Sequence, residues 1–432
     1  KTPADKVTLH PYHPDTPTFR YTHARYFDRI GLADAQIGAV VEKLESDGLL
    51  EDTFVFYFGD HGGVLPRGKG YAYESGLHVP LVVRIPENFK HLADHKRGTR
   101  TDGFVSFIDF GPTVLRLAGL PVPEQMDGRA FLGKGTTAAE LASRDEAFGY
   151  ADRFDEKYDF VRTMRKGKWK YHRNYQGYYP DGLQNNYRYR MLAYAEWRNL
   201  YKAGKLNAAQ RQFFEPRPAE QLFDLSKDPH EVNDLSRSPA HKEVLLDLRR
   251  RLSAKLKAIN DLSFYPESHM VAKALGDGVA YGEKHSKEID QLVQIADLAL
   301  IPFPQAEKKL IVAINGKSPW QRYHACVAAA TLGDVARPLV PIVKPLLADE
   351  NLMVRVRAAE FLGRLKAVDP MPTLVGVLNQ SESSLEVLLT FNAVTYLRDH
   401  CGYSFDPSKV KLKAKAGESS RRTAYLSGKG KL

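Results

Sequence analysis

Six consecutive apolar or β-prone residues, Thr53-Phe-Val-Phe-Tyr-Phe58, run straight into Gly-Asp-His-Gly-Gly63. A run without polar alternation predicts a strand covered on both faces, the habit of parallel sheets in α/β proteins. A second run, Val79-Pro-Leu-Val-Val-Arg-Ile85, repeats the pattern. Upstream, Tyr26, Ile30, Ala33, Ile37, Val40, Val41 and Leu44 fall at spacings that predict a helix with one buried face, stopping near Gly48. Downstream, a helix over Ile108–Ala118 ends at Gly119. This alternation predicts an α/β fold built on a mostly parallel sheet over residues 1–150.

The remainder of the 432 residues changes character. Phe160–Arg165 and Lys168–Arg173 flank Lys166-Gly167 and predict a hairpin. With a strand at Gln221–Leu225 and a helix at Glu243–Ile259, residues 151–262 read as a smaller α+β subdomain. Residues 263–304 read as a linker with some helix. In 305–405, RYHACVAAATLG, RVRAAEFLG and LLTFNAVTYLR superpose, with Leu332, Leu362 and Leu397 spaced 30 and 35 residues apart. Stacked helix pairs at that period, with alanines where helices approach, resemble HEAT repeats.

Of the formal charge of +10, most sits in the tail: Ser408–Leu432 holds eight Lys or Arg against one acid. Residues 406–432 therefore read as a basic, disordered end, and the rest of the chain is near neutral. No nucleic-acid module accompanies the charge, so no nucleic-acid partner is expected. Two cysteines exclude a disulfide framework or a thiolate cluster. No run of about 18 apolar residues predicts a membrane span. The chain opens without Met and without an export segment, and reads as a mature chain or a fragment.

Two stretches carry groups suited to chemistry. Asp60 and His61 stand directly after a predicted strand, at the sheet edge where α/β proteins gather ligands. One supplies a hard anionic oxygen, the other a nitrogen ligand or a hydrogen bond. Read alone, Asp-His-Gly is a turn with a capping aspartate. Lys69 lies between Gly68 and Gly70, where an ammonium could reach a tetrahedral oxyanion; read alone, it is a solvated loop lysine. A third stretch, HRNYQGYYPDGLQNNYRYR, interleaves tyrosines with Arg173, Arg188 and Arg190. It reads either as packed tyrosines of a subdomain or as a rim that stacks sugars and binds anions.

Taken together, GDHG, GKGYAYESGLHVPLVV and FVSFIDFGPTVLRLAGL resemble the second half of the sulfatase catalytic domain, within the alkaline-phosphatase-like superfamily. Val161-Arg-Thr with Trp169-Lys-Tyr171, and the stretch Gln221–Leu235, resemble that family's closing signature, and Tyr26–Gly38 its preceding helix. The resemblance spans about residues 1–240 and is strongest to sulfatases acting on polysaccharides. It implies that Asp60 and His61 are metal ligands and that Lys69 binds the sulfate and stabilises the leaving oxygen. Arg173 and Arg188 are candidate substrate-binding residues. Tyr73 and Glu74 shape the loop.

The resemblance also implies a divalent metal, calcium by family habit, a formylglycine nucleophile and a sulfated carbohydrate substrate. Calcium prefers oxygen ligands, which leaves His61 either a ligand of a softer ion or a substrate hydrogen bond. No C/S-x-P-x-R and no Asp-Asp pair stands in this sequence. The expectation is therefore a C-terminal piece of a longer enzyme, inactive by itself, with the nucleophile segment upstream. His10 and His13 fall in the loop after the family's upstream histidine and take no role. A bacterial source, a periplasmic or extracellular location and a protein partner for the repeats complete the expectations. A phosphatase or phosphodiesterase of the same superfamily, or a non-catalytic repeat scaffold, are the alternatives.

Overall fold

The computed structural model describes residues 1–414 and 416–428. The chain divides into two compact units. The first holds Lys1–Gly149, Met164–Lys170 and Phe223–Asn233; the second holds Tyr150–Thr163, Tyr171–Leu222 and the chain from Asp234 onward.

In the first unit, helix α1 (Pro17–Ser46) starts where Pro17 sets the first turn and the Thr16 hydroxyl accepts from the Phe19 amide at 3.3 Å. Only Phe19, His23 and Ala24 are buried on it, and Ile30 and Val40 are exposed. The predicted helix is present, but the continuous buried face is not. Strand β1 (Val55–Phe58) then leads through the Gly-rich loop and a short helix, α2 (Glu74–Leu77), to strand β2 (Leu81–Arg84). The two strands pair antiparallel, Phe56 with Val83 and Tyr57 with Val82.

A mostly parallel sheet is thus not what these residues form. One face of the pair is covered: Phe56, Leu81 and Val83 pack on Phe131, Leu132 and Leu141, together with Phe110 and Leu117 of helix α3 (Phe110–Leu117). The other face carries Tyr57 and Val82 opposite each other, and both are exposed. The apolar run encodes two-sided burial, and a single layer of cover satisfies half of it.

Asp109 and Thr113 hold this layer together. The Asp109 carboxylate accepts from the amides of Ser106 and Arg129, both at 2.8 Å. The Thr113 hydroxyl accepts from the Phe131 amide at 3.0 Å. The motif read as a family signature is therefore a clasp between α3 and the segment that fills the core. Helix α4 (Ala138–Ala142) supplies Leu141 to the same core.

Strands β3 (Glu146–Phe154), β4 (Lys157–Lys166), β5 (Trp169–Asn174) and β6 (Glu220–Asp224) form a second sheet in that order. Gly167, at φ +53°, makes the β4–β5 turn, as the Lys-Gly pair predicts. The chain passes between the two units within these strands.

The second unit is mainly helical. Residues 263–304 are not a linker: helix Ser286–Ala296 buries Ile289, Leu292, Val293 and Ala296. It packs against helix Lys242–Ala258 and helix Pro319–Leu332. The alanine-rich helix Pro319–Leu332 packs in turn on Leu352–Arg364, and that on Ser384–Cys401. These three helices are almost wholly buried along their middles, which explains their lack of an amphipathic stripe. Pro319–Ala348 is long and apolar enough for a membrane by composition, but Gly333 ends its helix and the helix lies in the core.

The predicted disordered tail includes a helix, Gly417–Leu426, while Lys415 and residues 429–432 lie outside the described residues. Helix Gly417–Leu426 buries Arg422, whose guanidinium donates to the Gln184 carbonyl at 2.6 Å and the Glu156 carbonyl at 3.0 Å. A charge run read as solvated thus includes a cation whose donors finish backbone carbonyls inside the second unit.

Candidate active site

The two chemical stretches of the first unit form one connected loop system at the end of β1. Gly62 approaches the second stretch so closely that a Cβ would overlap the Ser75 carbonyl, and its amide donates to the Gly76 carbonyl at 2.9 Å. The Lys69 amide donates to the Gly63 carbonyl at 2.9 Å. The motif glycines are thus needed for backbone approach, and they bring Lys69 and the Asp60-His61 pair into one loop cluster.

Asp60 is exposed, with 82% of its side chain open to solvent, and lies 3.5 Å from His61 Nε2. His61 Nδ1 lies 2.9 Å from the Gly62 carbonyl oxygen. A carbonyl only accepts, so Nδ1 carries a hydrogen, and Nε2 lies on the Asp60 side. Lys69 is half-buried, and its ammonium makes no ion pair among the described residues.

These donors do not complete a metal site. Calcium takes six to eight oxygens, and a softer ion about four donors. One carboxylate and one imidazole supply two, and no group of three or more His, Cys, Asp or Glu among the described residues could hold an ion.

Arg173 and Arg188 do not face a substrate. Arg173 is 1% exposed; its guanidinium donates to Asp297 at 3.1 Å, and to the Ala296 carbonyl at 2.7 Å. Arg188 is buried over the Phe154 ring. Tyr178 and Tyr179 of the same stretch are interior as well: they donate to the buried Glu360 carboxylate, which also takes Arg357 at 2.7 Å. The packed reading describes Arg173, Tyr178 and Tyr179, whose polar groups meet buried partners, whereas Tyr187 and Arg190 of the same stretch are exposed. Its alternation of aromatic and basic residues is a core pattern in which cations lie on rings and on carboxylates.

Tyr73 and Glu74 were expected to shape the Lys69 loop, but the sequence did not point to Arg67 or to the distant partners that position it. Arg67, at φ +65°, lies buried with its guanidinium over the rings of Tyr73 and Tyr12, 3.6 and 4.4 Å from their centroids. It donates to the backbone carbonyls of His230 at 2.6 Å and Glu231 at 2.7 Å. Glu74 accepts from Lys170 at 2.8 Å and from Arg165, and its amide donates to the Glu231 carboxylate at 2.6 Å. Burial opposes ionisation of Glu74, but His78, Lys170 and Arg165 outweigh it and hold the carboxyl far below its ordinary range. The stretch resembling the closing signature is thus a strap for the loop. Only the presence of both motifs in one chain could have suggested it.

Residues 8–120 match the sulfatase family model. An ulvan-active sulfatase of Formosa agariphila is 39% identical over 272 residues, 62% of this chain and 44% of that protein. The N-sulphoglucosamine sulphohydrolase of Homo sapiens is 27% identical over 56% of this chain and 48% of its own length. The chain spans about half the length of the curated relatives it matches. A solved structure in complex with its substrate, D-glucosamine-2-N,6-O-disulfate, aligns over 55% of this chain and 41% of that one, with 19% identity and a TM-score of 0.40.

Proposed function

We propose that this chain is part of a sulfatase that hydrolyses sulfate esters of carbohydrate. The observation that carries the reading is the joining of Lys69 to the Asp60-His61 loop through the Lys69–Gly63 backbone bond, within the segment that matches the family. As the S–O bond breaks, negative charge grows on the bridging oxygen. An ammonium free of ion pairs among the described residues and fixed on a short-tethered loop stabilises that charge. His61, whose Nδ1 donates to the Gly62 carbonyl, stands beside Asp60 in the same loop.

In this reading the formylglycine, the remaining metal ligands and the polysaccharide subsites lie on parts of the protein outside this sequence. The exposed apolar face of β1–β2 supports it, as does a match to about half of each relative. The metal, when bound, supplies Lewis-acid stabilisation; this chain's share would be Asp60 and His61. The successive packed helices of 305–405 are consistent with HEAT-like repeats, and the export expected of the family would place the enzyme in the periplasm or outside the cell. The test is sulfate release from sulfated polysaccharides and from an aryl sulfate by the natural full-length protein. Absence of turnover on both, with formylglycine present and metal supplied, would refute the reading.

A further inference from the structure

The loop that carries Lys69 is fastened by a histidine. His13 Nε2 lies 2.8 Å from the carbonyl oxygen of Pro66, and its Nδ1 lies 3.0 Å from His23 Nε2. A carbonyl only accepts, so Nε2 of His13 carries a hydrogen. The neutral ring accepts at Nδ1, and His23 Nε2–H is then the donor. Two neutral rings satisfy both bonds with one consistent pair of tautomers.

What surrounds His13 opposes a second proton. The His10 ring centroid is 5.3 Å from those of His13 and His23 and 5.1 Å from that of His230. Arg67 brings a permanent charge from the Lys69 loop itself, and Tyr12 packs edge-on to His13 at 4.6 Å. The nearby acids are committed elsewhere. Glu231 takes the Glu74 amide and lies 3.5 Å from Lys170, while Asp228 takes the amides of Val232 and Asn233. Burial pushes His13 well below its ordinary value, and burial with its histidine neighbours brings His10 down to about 4. Burial also lowers His23 and His230.

We infer that His13 is a positioning residue for the Lys69 loop, a latch that is closed while the histidine cluster is neutral and loosens on acidification. Its functional meaning rests on the reading of Lys69 as the group that meets the sulfate; the latch itself does not. A latched His13 binds its proton more weakly than a free one. The closed loop is therefore favoured above pH 6.5, and the advantage is lost as pH falls below 6.5. For one linked proton the opening constant rises about tenfold per pH unit in that window, roughly 30-fold between pH 7.5 and pH 5.

Amide hydrogen exchange of residues 64–76 in the full chain, corrected for intrinsic exchange, measures this without any substrate. In the wild type, protection of the Gly68, Lys69 and Gly76 amides should fall roughly 30-fold from pH 7.5 to pH 5. It should do so while the helix Pro319–Leu332 stays protected. His13→Gln keeps a donor at the Nε2 position but cannot take a proton; it should hold wild-type protection at pH 7.5 and lose the acid step. His13→Ala should expose the loop at every pH. A loop whose exchange is flat with pH in the wild type overturns the inference, as does a His13→Gln loop that loosens with acid like the wild type. Should His13→Gln fail to fold, the NMR titration of the His13 ring in the wild type decides. Its protonation must follow the loop's opening, and a ring that titrates while the loop stays closed overturns the inference. Failure of Lys69→Ala to impair turnover would instead refute the functional reading, leaving the exchange result intact.

Discussion

Lys69 and Lys157 show how differently two lysines of one chain are used. Lys69 is half-buried and keeps its ammonium free of ion pairs among the described residues. On the proposed sulfatase function, Lys69→Ala in the natural full-length protein should lower kcat and kcat/KM together, by about 10²–10³, while leaving KM nearly constant. The exposed Lys134 in the same unit is the control and should change turnover less than twofold. Lys157, by sequence a residue of a polar stretch, is buried 3.0 Å from Asp159, which Arg217 also holds at 2.7 Å. Lys157→Ala should destabilise the chain by about 3 kcal/mol in urea unfolding, because a partner of a buried pair is removed. Glu74 gives the pH test. Its carboxyl is held below its ordinary 4.5, so the stability it contributes is present above that value and is lost as pH falls below it. Glu74→Gln should lower the melting temperature at pH 7 and flatten its decline below pH 4.5. A variant that melts like the wild type at both pH values would show that Lys170 and Arg165 gain nothing from the charge.

At the scale of elements, what was legible in the sequence followed the local physics of each segment. The β4–β5 hairpin, the helix Lys242–Ala258 and the stop at Gly119 depend on a turn, a periodicity and a positive φ, all local. The Asp60-His61 and Lys69 stretches were legible because their glycines and spacing are set by backbone approach. Partners distant in sequence were not legible: Arg67 with His230, Tyr179 with Glu360, His13 with Pro66. The alternation of tyrosine and arginine around Arg173 reads equally as a rim or a core, and burial alone separates the two. Helix Gly417–Leu426 was misread for the same reason, since Arg422 is spent on carbonyls from residues 156 and 184. Arg422→Ala removes three charge-assisted bonds to Gln184 and Glu156 and should cost about 3 kcal/mol or more. If instead its unfolding midpoint in urea equals that of the wild type, the tail helix is no part of the second unit's stability.

For the molecule as a whole, the two units differ in how well their apolar surface is covered. The second buries long unbroken helices, whereas the first leaves apolar side chains open on several elements. Tyr57 and Val82 face out from the β1–β2 pair, Ile30, Leu32 and Val40 from α1, and Ile108 and Val114 from around α3. A two-stranded antiparallel pair also has two unpaired edges, and apolar edge strands template association. The 432-residue chain by itself should therefore self-associate through the first unit. Sedimentation velocity should show mass growing with concentration in the micromolar range, together with binding of an apolar dye. Val82→Lys places a charge at the centre of the exposed face, opposite Tyr57, and should return the chain to a monomer without lowering its melting temperature, since Val82 is 59% exposed. The same substitution in the natural full-length protein discriminates further. If the remainder of the protein packs on this face, Val82→Lys buries an unpaired charge there and should cost several kcal/mol in stability. Equal tolerance of the substitution in both forms would mean that the face stays open in the full-length protein, and the account of its apolar run as an interior strand would fail.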